Sequence, residues 1–310
     1  MRPSGIPELF LRLTKTVFVL LFVALAVVGC QIVRNTETEP LPPATAATLR
    51  VATYNVHYIV LGQATGPWSV GDWERRKGPL DLAFKAINAD IIAFQEMESF
   101  GGSSGGDVNL TLDWLLENNT GYAAAATGDP AVFPSTQPIF YRRDRLEMRD
   151  QGWFFFSPTP DVIYARTYNG SYPAFASWAV FRDRRDGREF RVINVHTDYG
   201  SRSNRLRSAE LVAARARPWI NAGETVFVVG DFNARRGDQT LRLIEETGVT
   251  FAPVKGASYH FNRGLNLFGA IDHIGYVGTA RLAGDPVVLR QKFAGEWPTD
   301  HYPVIADFMH

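Results

Sequence analysis

The stretch TVFVVGDFN, residues Thr225 to Asn233, constrains this chain more than any other. Its four consecutive apolar residues, Val226 to Val229, are bounded by turn-formers and predict a buried strand. That dry strand runs directly into Asp231 and Asn233. Asp and Asn end many strands by bonding nearby backbone groups. The alternative is a rigid strand that aims two oxygen donors into a cleft. The same ending recurs. VATYN closes on Asn55, DIIAFQE on Glu96, and VINVHTD on His196 and Asp198. AIDHI holds Asp272 in an apolar run, and TDHYPV sets Asp300 and His301 just before the last strand. One such ending is a turn; this many, with almost no Lys among them, predict side chains converging at one sheet edge.

The donor set has a coherent chemistry. Carboxylate and carboxamide oxygens suit Mg²⁺ or Mn²⁺, which retain some water and share coordination with a substrate phosphate. Histidines beside carboxylates donate to a phosphoryl oxygen or move a proton. After Cys30 the chain has no thiolate and nowhere a His-Glu-x-x-His helix, which argues against zinc. No Ser or Cys nucleophile is supported either, which leaves metal-assisted attack of water on a phosphate ester.

Between these endings, strand-like runs alternate with segments of helical period. Strands are expected over 49–55, 90–96, 138–144, 148–156, 175–183, 189–196, 225–231, 270–278 and 302–308, and helices over 72–89, 108–119, 204–220 and 238–247. Mixed elements of this kind predict an α/β layered domain. The GWFFF run, Trp153 to Phe156, reads as buried strand and not as a lipid-insertion loop. Ser99 to Asp107 is a glycine-rich surface loop without the Lys of a phosphate-binding loop.

The N-terminus is a separate unit. Arg2, Arg12 and Lys15 precede the apolar run Val17–Val28, which meets Gly29-Cys30. This pattern predicts a signal peptide over 1–29, too short for a comfortable membrane span, with an uncleaved anchor helix as the other reading. VVGC resembles a bacterial lipobox, and Cys30, the sole cysteine, is expected to carry the lipid. Residues 30–48, rich in Thr, Pro, Glu and Ala, predict a flexible tether, and 49–310 the catalytic body. The body is thereby exported and held at a membrane surface. A formal net charge of zero leaves no strongly basic nucleic-acid footprint, and the arginine clusters at 142–145, 182–188 and 202–207 read mainly as solvated surface.

With these residues in view, the chain resembles the endonuclease/exonuclease/phosphatase superfamily from Leu49 to Phe308. TYNVH, FQE, NVHTD, GDFN, IDHI and TDHYPV follow the family's motif order, and IFYRRDRLEMRDQGWFFFSPTP resembles the strand pair of bacterial members. The resemblance implies a four-layer α/β/β/α sandwich of two mixed sheets flanked by helices, with the site at the sheets' common upper edge. It also implies that Glu96 binds the metal with Asn55, and that Asp300 supports a metal or a neighbouring contact. Asp231 would orient or deprotonate the attacking water, and Asn233 would hold a phosphoryl oxygen. His301, its tautomer fixed by Asp272, would contact the scissile phosphate, and His196 would bond the phosphate or assist the leaving oxygen. Asp198 is read as a loop residue, and His57, His260, His273 and His310 as ordinary histidines.

Two departures stand out. Tyr199 takes the place of the second His in the central motif, and Ser135, Thr136 and Gln137 stand where an acidic partner for His196 is expected. The expected activity is phosphodiester hydrolysis on nucleic acid or a phospholipid head group. A catalytically weak or inactive tethered binding protein is the alternative.

Overall fold

The computed structural model describes residues 6–36, 40–101, 108–170 and 172–309. Its body holds two large mixed sheets. The first has seven strands, in which Leu49–Asn55 lies between the antiparallel Val304–Met309 and the parallel Ile91–Gln95, with Ile139–Arg142 and Tyr122–Ala125 beyond. The second has six, in which Thr225–Asp231 lies between the parallel Glu189–His196 and the antiparallel Asp272–Val277. Phe175–Asp183 and Leu146–Phe155 continue that sheet outward.

Period-two alternation explains why the central strands are apolar throughout. Val51 enters the cluster between the sheets, whereas Ala52 and Tyr54 join the layer containing Trp73, Leu80, Phe84 and Leu115 from the helices Val70–Ile87 and Leu110–Asn118. In the second sheet, Phe227 and Val229 face the intersheet core, while Val226 and Val228 meet Ala209, Val212, Leu241 and Ile244. Those last four come from the helices Arg202–Asn221 and Gln239–Glu245. Both faces of each central strand are buried, so neither face carries a polar stripe. The layers therefore run helix, sheet, sheet, helix, as the resemblance implied.

Two glycines are required by geometry. Gly230 has φ +144°, and a Cβ there would lie 1.8 Å from the Val195 carbonyl oxygen, so only glycine fits immediately before Asp231. Gly256 has φ +70°, and a Cβ there would lie 2.6 Å from the Asn35 carbonyl oxygen.

Several expectations need revision. The N-terminal helix runs unbroken from Ile6 to Thr36, beyond the apolar run and through Cys30, and its Arg12–Thr36 portion is long and apolar enough to cross a membrane. The first residues of the expected tether are therefore helical, and Leu41 packs against the helix-side core while the Pro42 carbonyl accepts from Arg50. Arg145 is no surface residue: it is buried and ion-paired with Asp90 and Asp183. The aromatic run behaves as expected, with Phe154, Phe155 and Phe156 buried. Within the glycine-rich stretch, Ser99–Phe100 is a short strand paired with Ile59–Val60, and residues 102–107 lie outside the described residues. His310 does too.

Candidate active site

Strand pairing alone sets one half of the site. Asp231 lies opposite His196 on the parallel side and opposite Asp272 on the antiparallel side, so three polar residues meet at one end of the second sheet. In the first sheet Asn55 pairs with Gln95, and Glu96 follows at once. Beneath the site the two sheets are clasped together by buried amides. Gln95 Nε2 donates to Asn194 Oδ1 at 2.7 Å, Asn194 Nδ2 donates to the Phe94 carbonyl at 2.7 Å, and Thr53 Oγ1 donates to Gln95 Oε1 at 3.1 Å. Such a satisfied polar network holds the sheets in one relative register.

Across this junction the side chains converge. Asn55 Nδ2 donates to Glu96 Oε1 at 3.1 Å and lies 3.2 Å from Asp231 Oδ2. His196 Nε2 is 3.7 Å from Glu96 Oε1 and 3.9 Å from Asp231 Oδ2. His301 Nε2 is 3.7 Å from Asp231 Oδ2, and its Nδ1 bonds Asp272 Oδ2 at 2.9 Å. Asp231 Oδ1 accepts the Asn233 backbone N–H at 2.8 Å, and Asn233 Nδ2 donates to the Thr197 carbonyl at 2.9 Å. Thr299 Oγ1 touches both the Asn55 carbonyl, at 3.0 Å, and Asp300 Oδ1, at 3.2 Å, joining that carboxylate to the end of the first sheet. Glu96 and Asn233 are held at φ +53° and +45°, which non-glycine residues seldom adopt. Backbone of this kind is found where a side chain must be aimed.

The electrostatics follow from burial. Asp231 is raised above the ordinary carboxylate range by burial and then by Asp272, against the pull of His301 and His196. Burial alone would lower His301, but the charge and hydrogen bond of Asp272, with Asp231 and Asp300, overcome it and push the imidazole up to about 10. Asp300 is lowered overall: burial raises it, and the charge of the neighbouring His301 leads the effects that outweigh that. His273 and His260 are both depressed to about 4, chiefly by burial, and remain neutral. His273 bonds the Ala234 carbonyl at 2.9 Å, and His260 stacks on Tyr302 with centroids 4.0 Å apart.

Among the described residues, no Lys or Arg pairs with Glu96, Asp231, Asp272 or Asp300; their ion-pair partners are histidines where they have any. Four carboxylates with no Lys or Arg paired to them, only histidines, fit a hard divalent metal. The tightest grouping of potential ligands is Asp231, Asp272 and His301, all within 4.8 Å, and differs from the expected set of Asn55, Glu96 and Asp300. In that grouping Asp272 Oδ2 and His301 Nδ1 are already bonded to one another. Of the expected set, Glu96 is half-buried and accepts from Asn55 Nδ2, Asn55 Oδ1 accepts the His57 backbone N–H, and Asp300 Oδ1 accepts from Thr299.

Other residues depart from expectation. Near His196 the carboxylates are those of Glu96 and Asp231, 3.7 and 3.9 Å from its Nε2, whereas Gln137 is buried and bonds the Phe175 carbonyl. Asp198 accepts the backbone N–H groups of Gly200 and Ser201, and Arg205 holds the Asp198 and Tyr199 carbonyls, so this segment is a built loop. Tyr199 is largely exposed at 72%. His57 is buried beside the site, depressed first by burial and then by Arg76, and its backbone N–H is held by Asn55 Oδ1. Tyr172 was not foreseen. Its ring lies 6.1 Å from that of His196, and its hydroxyl is buried without a hydrogen-bond partner. Burial first, then Glu96, Asp231 and Asp198, raise that phenol, which keeps it a donor. It lies in an irregular segment where no periodicity signals direction.

Comparison with known proteins bears on the family and the fold. The model of the Endonuclease/Exonuclease/phosphatase family matches residues 52–301. A family protein from Bacteroides thetaiotaomicron has a similar structure, with TM-score 0.70 and 22% identity over 84% of this chain and 97% of that one. A mannosyl-6-phosphatase of the same organism is similar to the same degree, 0.70 and 22%, over 84% of this chain and all of that one (100%). The human Nocturnin catalytic domain, with bound sulfate, gives 0.59 and 16% over 84% and 94%. No curated protein matches in sequence.

Proposed function

The chain belongs to the endonuclease/exonuclease/phosphatase family, and from that premise we propose that it is an exported, divalent-metal-dependent phosphodiesterase. The observation that carries this reading is the meeting, across two sheets, of Glu96, Asp231, His196 and His301 with side-chain separations of 3.7 to 3.9 Å. Glu96, Asn55 and Asp300 would hold Mg²⁺ or Mn²⁺, which when bound would neutralise phosphate charge and polarise the phosphorus.

The chain's own residues then divide the reaction. Asp231, made more basic by burial and by Asp272, takes a proton from the attacking water as its oxygen bonds phosphorus. His301, kept cationic by Asp272, donates to a phosphoryl oxygen. Asn233, with one amide hydrogen on the Thr197 carbonyl, offers the other to the phosphate. Tyr172 supplies its unpartnered hydroxyl to the same group. His196 protonates the departing ester oxygen as the P–O bond breaks. An inactive binding protein is the second reading; against it stand the Glu96 and Asp231 carboxylates, 3.7 and 3.9 Å from His196 Nε2.

The test is hydrolysis of a generic phosphodiester with Mg²⁺, with and without chelator, by the wild-type chain and Asp231→Ala. Chelation and the substitution should each abolish turnover. Equal rates in all samples sink the proposal, and tight ligand binding without turnover supports the binding protein instead. Parallel trials with DNA, RNA, sphingomyelin and inositol phosphates identify the substrate class.

A further inference from the structure

The end of the N-terminal helix does not hang free. Asn35 is buried on the body: its carbonyl accepts from Ala257 N–H at 3.0 Å, and its Nδ2 donates to the Asn266 carbonyl at 3.2 Å. Asn266 Nδ2 returns a bond to Thr36 Oγ1 at 3.0 Å, and Gly256 supplies the close approach described above. Between this docked helix end and the body lies a cavity of about 530 Å³. Arg34, Arg235, Arg236 and Lys255 line it, no carboxylate does, and its one histidine, His273, is neutral. Lys255 also pairs with Asp285; the three arginines are exposed, with no side-chain partner described for any of them.

Position identifies what such a cavity would meet. At about 1.5 Å per residue, Arg34 stands roughly 6 Å along the helix from Cys30. The apolar run ends two residues earlier still, at Val28. If the helix stays as an anchor or Cys30 carries lipid, Arg34 and the arginines that share its cavity would stand at head-group depth. We propose that Arg34, Arg235, Arg236 and Lys255 form a collar that binds the phosphates of anionic phospholipids and seats the body on the membrane in one orientation. This rests on the membrane-attachment reading of the N-terminus. Basic groups beside an anchor gain from a negative surface and lose that gain in salt. The seat involves the loop that follows Asn233, so the collar also fixes how the candidate active site faces the bilayer.

The experiment uses the full chain in nanodiscs of phosphatidylcholine alone or with one quarter phosphatidylglycerol. Amide hydrogen exchange is followed over 234–238 and 254–257. Anionic lipid should slow exchange there by about tenfold, an effect lost in 0.5 M NaCl and in the triple variant Arg34→Gln, Arg235→Gln, Arg236→Gln. The double variant Arg184→Gln, Arg188→Gln, at the far end of the second sheet, should keep it, and melting curves confirm that both variants fold. Equal exchange in the two lipids overturns the collar while leaving attachment intact. Protection by a single-stranded oligonucleotide in neutral discs, with none from phosphatidylglycerol, overturns it in favour of a nucleic-acid contact. A chain that does not co-elute with discs removes attachment and collar together.

Discussion

Replacing Tyr172 with Phe separates a structural role from a chemical one, because the two give opposite signs. The Tyr172 hydroxyl is buried and unpartnered, close to His196 and under the field of Glu96 and Asp231. An unsatisfied buried polar group costs about 1–3 kcal/mol, so removing the oxygen should stabilise the free protein by up to that amount. For a body of this size that is a rise in melting temperature of about 2–4 °C per kcal/mol. If the hydroxyl bonds a charged phosphoryl oxygen, the lost interaction is worth about 1.5–3 kcal/mol. That converts to a fall in kcat/KM of roughly 10- to 150-fold. The assays are a thermal melt without ligand and steady-state hydrolysis of a soluble phosphodiester. A lower melting temperature with unchanged kcat/KM would refute the reasoning, since it would mean the hydroxyl has a partner in the free protein and none in the substrate.

Three further outcomes are expected. His301 has its pKa raised to about 10 in the folded protein, against an unfolded value of about 6.5; its stabilising contribution is therefore complete below the lower value and is lost as pH rises through the upper one. Urea midpoints should fall from pH 7 to pH 10, and Asp272→Asn should flatten that slope. Gln95→Leu leaves Asn194 Oδ1 without its donor between the sheets and should cost about 1–3 kcal/mol in urea unfolding; an unchanged midpoint would show that the clasp is dispensable. Gly230→Ala drives a Cβ into the Val195 carbonyl and should cost about 3 kcal/mol or more, with activity lost in the soluble fraction.

The strands Thr225–Asp231, Phe175–Asp183 and Glu189–His196 match their expected limits because doubly buried runs and turn chemistry such as Asp186-Gly187 mark both ends. Tyr122–Ala125 was invisible, since three alanines carry little strand preference, and its pairing with Ile139–Arg142 supplies what propensity does not. At the site, residues at strand ends were legible because the backbone aims them: Asn55, Glu96, His196, Asp231, Asp272 and His301 do converge. What eluded reading depends on distant partners. The direction of Tyr172, the burial of Arg145 between Asp90 and Asp183, and the docking of Asn35 are tertiary facts with no local period.

The amide clasp of Gln95 and Asn194 ties the halves of the pocket, one on a sheet built from both ends of the chain and the other on a sheet built from its middle. No fragment synthesised early carries a complete set of reacting groups. Competence therefore waits for the final strand to close, because His301 and Asp300 immediately precede it. Turnover, in turn, is a gauge of the fully assembled molecule alone.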